Sequence, residues 1–137
     1  MGVELVTVQA SKVEELEAAF QEAHAKGAEA IDVLGDTLTF RASAKIANLT
    51  VQYRWPSIYL FRQNVLDGGL MSYGPNAGEL VCAWARQIDK ILKGAKPGDL
   101  PVEQPTRFDL VINLKTAKAL GITIPAILLA EAAEVIE

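Results

Sequence analysis

Short β-branched runs alternate with longer stretches of helical spacing through the first half of this chain, and the connections are too long for hairpins. Parallel neighbouring strands need crossovers of that length, and the crossing helices then cover the faces of the sheet. Val3 to Val8 reads as the first strand, bounded by Gly2 and Ser11. Ser11 and Glu14 have the spacing of a capping box, and Val13, Leu16, Phe20 and Ala23 follow as one helical stripe that Gly27 stops. Ala30 to Leu34 is the next strand, closed by Gly35 and Asp36. A helix from about Thr39 to Tyr53 carries Phe40, Ile46 and Leu49. It ends at Trp55-Pro56, because proline pushes the preceding residue out of helical space. Ser57 to Phe61 is a third strand, with a helical turn through Val65 and Leu66 before Gly68-Gly69. Leu70 to Gly74 is a brief fourth.

The second half is less regular. Asn76 is placed to cap a helix, with Glu79 three residues on in the reciprocal position. That helix carries Leu80, Trp84, Ile88 and Ile91, widened by Val81 and Leu92, and Gly94 stops it. From Ala95 to Thr106 the chain is broken by Pro97, Gly98, Pro101 and Pro105, which reads as a crossing segment or extended arm. Leu110 to Leu114 is strand-like, and Lys115 to Leu120 is a helical turn or two closed by Gly121. Pro125 to Glu137 reads as an alanine-rich helix with proline at its start. The fold class expected is α/β: a three-layer open, mostly parallel sheet, with its ligand-facing rim at the carboxyl edge.

Composition narrows the function classes. With 137 residues, half of them apolar and 22% charged, the chain is one domain able to bury a core. Thirteen basic against seventeen acidic residues give a net charge of −4, so no basic footprint exists for nucleic acid. Cys82 and His24 are the sole residues of their types, which removes disulfides, thiolate clusters and multi-histidine metal sites. Neither phosphate-cradling glycine loops nor a nucleophile elbow is present, so no cofactor and no catalytic role are expected. The start, Met1 to Val6, lacks the basic and long apolar regions of a secretory signal, so the sequence as written carries no export address and is expected in the cytoplasm.

Asp36 and Thr37 follow the second strand directly, at the rim where such sheets bind ligands. Asp36 is equally suited to capping the next helix. Phe61-Arg62 and Tyr73 end the next two strands, so their side chains can converge on the same rim. One carboxylate, two aromatic rings and one guanidinium suit a small zwitterion or aromatic ligand through charge pairing and stacking. His24, late in its helix, favours the helix dipole. Cys82 reads as a small buried hydrophobe, Trp84 as packing, and the Glu131/Glu134 pair as a solvated helix face.

Three segments carry a resemblance: Gly68 to Pro75, Ile91 to Thr106, and Val111 to Gly121. Together they are similar to the C-terminal half of bacterial ABC-transporter substrate-binding proteins, a group that includes tryptophan- and tyrosine-binding members. The resemblance covers nearly the whole chain and implies the second lobe of a periplasmic-binding-protein fold that closes on a solute in a cleft. On that analogy residues 1–74 are the lobe core, 75–109 a helix and arm reaching the other lobe, and 110–137 the return strand and C-terminal helices. Asp36, Thr37, Phe61, Arg62 and Tyr73 would form one cleft wall. The resemblance also implies a small solute, an aromatic or branched amino acid for example, an ABC permease partner and an extracytoplasmic setting. It further implies that a first lobe and the opening strand and helix of this lobe are missing, leaving a partial clamshell. An open sheet edge and the stripe around Trp84 would then need other cover, which predicts a homodimer, with arm exchange through 95–106. The alternative is an oligomerising structural domain that binds no solute.

Overall fold

The computed structural model describes residues 2–137; Met1, the first residue of the amino-terminal run, lies outside them. Three strands run parallel, β1 (Ile31–Val33), β2 (Ser57–Tyr59) and β3 (Met71–Pro75). β4 (Phe108–Asn113) pairs antiparallel with β3, and β5 (Glu134–Ile136) pairs parallel with β4, giving one five-stranded sheet in the order β1-β2-β3-β4-β5. The mostly parallel α/β architecture is therefore present. The single reversal has a plain cause: β4 begins opposite the end of β3, in the register Pro75 to Phe108, so the intervening chain leaves and returns at the same edge.

The helices are α1 (Leu16–Ala25), α2 (Thr37–Arg41), α3 (Ser43–Tyr53), α4 (Arg62–Leu66), α5 (Ala77–Leu92), α6 (Leu114–Leu120) and α7 (Ala126–Glu131). Leu16, Phe20 and Ala23 of α1 meet Ile46 and Leu49 of α3, with Val33, Trp55 and Tyr59, in the larger core. Phe20 and Trp55 stack at 5.6 Å between ring centres, and His24 sits edge-on to Tyr53 in the last turn of α1. A second cluster centres on Leu70, Ile112, Ala117 and Ile124, with Met71, Leu110, Leu128 and Leu129 against it. Polar groups tie α4 and the turn after it to β4 and α6. Asn113 donates to Val65 O at 3.1 Å while its Oδ1 accepts from Thr116 N, and the Thr116 hydroxyl donates to Gly68 O at 2.9 Å.

Several expected elements differ. Val3 to Val8 forms no strand, because no ladder partner lies beside it; Val3 and Leu5 are 82% and 86% exposed, and only Val8 and Ala10 rest on the core. The box at Ser11 does not form. A 3₁₀ turn, Val13–Glu15, precedes α1, and Glu15 rather than Glu14 reaches back to accept from Ser11 N at 2.8 Å. The helix expected from Thr39 to Tyr53 starts earlier, at the Asp36 cap, and breaks at the buried Ala42 into α2 and α3. The tail is not one helix: α7 ends at Glu131, and 134–136 joins the sheet because the β4 edge is open to it. Cys82 is exposed rather than buried, and Glu134 lies on a strand.

Two glycines set the spacing of the carboxyl edge. A Cβ on Gly74 would fall onto the backbone oxygen of Leu60, and one on Gly35 would lie 2.6 Å from Leu60 Cδ2. β3 thus approaches the backbone at the end of β2 more closely than any Cβ permits, whereas at Gly35 it is the Leu60 side chain that would have to shift. Gly74→Ala is expected to cost about 1–3 kcal/mol, since backbone rather than a flexible side chain must yield. Urea denaturation checks this, and a loss under about 0.5 kcal/mol would show that the strands are free to separate.

Candidate functional site

The register aligns Val33, Tyr59 and Ser72, so the residues after β1 and β2 reach the same rim as Tyr73. Alternation puts Val33, Tyr59 and Ser72 on the covered face, where all three are buried. Asp32, Leu34, Ile58, Leu60 and Tyr73 fall on the opposite face. There, with Gly35, they line an open recess of about 360 Å³. The Tyr59 hydroxyl is buried on the inner side near Ser57 and Thr50 without a well-formed hydrogen bond, and burial pushes its pKa up.

Of the five residues expected at the rim, Tyr73 lines the recess, 56% exposed, with its ring stacked on Phe108 at 5.7 Å. Phe61 lies against Gly35 and edge-on to Phe40 at 5.6 Å, with both rings part-exposed. Asp36 is engaged in capping: its Oδ1 accepts from Thr39 N at 2.8 Å, while Asp36 N donates to Thr39 Oγ1 at 3.0 Å. Thr37 opens α2 and is exposed. Arg62 is drawn elsewhere. Its guanidinium makes a two-pronged bond with Glu134 of β5, at 2.5 and 2.7 Å. Of the five, the recess itself is lined by Tyr73; Asp36 and Thr37 follow Gly35 of its lining, Phe61 follows Leu60, and Arg62 is committed to Glu134 on β5.

Phe40, Leu60 and Phe108 complete the apolar surround and were absent from the sequence-based set. Phe40 reads as a core position of a continuous helix, and only the break at Ala42 turns it to the rim. Phe108 precedes the expected start of its strand. The strand in fact begins two residues before Leu110, and that brings its ring to Tyr73.

With this geometry in place, the class of protein is that of an α/β lobe presenting one open wall at its carboxyl edge. The family model for ABC transporter substrate-binding proteins matches residues 1–136, and the chain belongs to that family. A conserved domain protein from Vibrio cholerae is similar at 30% identity and a TM-score of 0.89, with 98% of this chain and 45% of that one aligned. A structure from Streptococcus pneumoniae, described as an ABC domain in complex with L-Trp, is 31% identical with a TM-score of 0.83, over 93% and 43% of the two chains. A substrate-binding protein with adhesive properties from Clostridium difficile shares the fold at 22% identity and a TM-score of 0.66. This chain therefore spans less than half the length of the structures it matches. No curated protein matches it in sequence.

Arg62 and Glu134 supply a pH-dependent tie between α4 and β5. The guanidinium holds the Glu134 carboxyl below its ordinary value of 4.5, so the folded chain binds that proton less readily than the unfolded chain. Its stabilisation is present above that ordinary value and is lost as pH falls through the lowered one. Both side chains are well exposed, so the effect is at most about 1 kcal/mol. Glu134→Gln is expected to lower stability at about pH 7, with a deficit that shrinks as pH falls towards about 3. Denaturation along a pH series measures this, and a deficit that stays constant down to the lowest pH at which the chain folds would assign the loss to packing.

Proposed function

We propose that this chain supplies one wall of the solute cleft of an ABC importer's binding protein and contacts a small amino acid, aromatic or branched, without catalysing any reaction on it. The observation that carries the reading is the convergence of three strand ends on one rim bearing two part-exposed rings, Phe61 and Tyr73. The rings would stack on the solute side chain. Asp36 and Thr37 would face its ammonium group, and Asp36 would then serve the solute while holding the start of α2. Arg62 is held by Glu134 through its Nε and Nη2, so it would turn to the solute carboxylate by giving up that pair.

The L-Trp complex of the streptococcal relative supports an aromatic amino acid as the first solute to try. An ABC permease is the partner, and the setting is extracytoplasmic, as family membership implies. No described helix is long and apolar enough to cross a membrane.

A single wall leaves much of a solute in water, so the expected dissociation constant is about 0.1–1 mM. Amide chemical-shift titration with L-Trp, L-Tyr and branched amino acids tests this. Saturable shifts at residues 34–37, 60–62 and 73 support it, and Tyr73→Ala and Phe61→Ala should each weaken binding about 3- to 10-fold. No saturable shift with any of them, or unchanged affinity in both variants, sinks the reading.

A further inference from the structure

We infer that Phe108 is a positioning residue of the rim. It holds the Tyr73 ring against the recess, and through that ring it sets a preference for an aromatic over a branched solute side chain. The preference rests on the solute reading above and adds to it a residue outside the recess lining.

β3 runs between β2 and β4, so Tyr73 has the recess on its β2 side and Phe108 on its β4 side. In the register Tyr73 faces Leu110 and Pro75 faces Phe108, which makes Tyr73 and Phe108 diagonal neighbours across the antiparallel pair. Diagonal neighbours on one face come within reach of each other when both are aromatic. The two rings stack at 5.7 Å between centres with 25° between their planes, a separation at which aromatic pairs attract. Tyr73 is 56% exposed, and Phe108 is the one ring stacked on it among the described residues. Without Phe108 the Tyr73 side chain regains the staggered positions that turn it towards β4 and away from the recess.

Both rings stand on backbone that is already held. Asn76 N donates to Arg107 O at 3.0 Å and Asn76 Nδ2 donates to Asp109 Oδ2 at 2.5 Å, so the residues on either side of Phe108 are tied to one asparagine. Arg107 Nε donates to the other oxygen of Asp109 at 3.2 Å. On β3, Gly74 beside Tyr73 lies so close to the Leu60 backbone that no Cβ fits there. What is left to fix is the direction of two side chains, and the stack fixes each against the other. A ring held in one rotamer beforehand spares the solute the cost of ordering it. An aromatic solute laid on the recess side of Tyr73 becomes the third ring of one stack. A branched side chain gains contact area there and no attraction between rings. The preference therefore depends on the direction of Tyr73, and that direction on Phe108.

Phe108 belongs to neither core cluster, so Phe108→Leu should leave the 137-residue chain folded. Two measurements then test the inference. The first needs no solute: three-bond couplings and ring contacts in nuclear magnetic resonance report the Tyr73 rotamer. One rotamer is expected in the parent and in Phe108→Tyr, and averaging between rotamers in Phe108→Leu. A single unchanged rotamer in Phe108→Leu overturns the inference. The second titrates L-Trp and L-Leu. The ratio of their affinities is expected to fall about 3-fold or more in Phe108→Leu and to return in Phe108→Tyr. In a Tyr73→Ala background Phe108→Leu should leave that ratio unchanged. An equal fall there overturns the inference, since Phe108 would then act without Tyr73. Absence of binding by the parent sinks the solute reading and the preference with it, and the rotamer measurement still upholds or overturns the positioning of Tyr73 by itself.

Discussion

The antiparallel pairing of β3 with β4 is the constraint on which the rest of the structure depends. It joins the strands descended from the first half of the chain to everything after residue 107, and it does so in flush register from Met71 with Ile112 to Pro75 with Phe108. Because β4 returns at the edge where β3 ends, α5 and its arm are an excursion outside the sheet rather than a crossover covering it. Leu34, Leu60 and Tyr73 on the other face of β1–β3 are exposed. The aromatic stack of Tyr73 on Phe108 at the rim is set by the same register.

A second tier of contacts fixes the rim itself. Gly74 and Gly35 let the ends of β2 and β3 and the loop after β1 close on Leu60. Asn113 and Thr116 hold the carbonyls of Val65 and Gly68, which anchors α4 beneath the sheet and leaves Arg62 at its start facing Glu134. These are buried, satisfied hydrogen bonds to backbone, where an unmet carbonyl would cost about 1–3 kcal/mol. Of the rim's polar groups, Asp36 and Arg62 are already engaged by structural partners.

Sequence pattern revealed those parts of the fold that rest on local chemistry. β1, β2, the Asp36 and Asn76 caps, and the stop of α6 at Gly121 each follow from residues within one or two turns. What escaped was decided by distant partners. Val3 to Val8 has strand composition and nothing to pair with, whereas Glu134 to Ile136 looks like helix and is captured by the β4 edge. The rim was legible as a place but not as a set of free side chains. Nothing near Arg62 in sequence announces Glu134, seventy-two positions on, and nothing near Phe40 announces the bend at Ala42.

The flush end of the β3–β4 ladder carries a consequence for how the chain can vary. Pro75 and Phe108 sit side by side whatever lies between them, so residues 76–107 are topologically an insertion at a hairpin tip. Excursions of that kind can lengthen, shorten or be exchanged between proteins without disturbing the strands that frame them. Residues 76–107 can therefore change in length and surface while the rim formed by the strand ends keeps its shape.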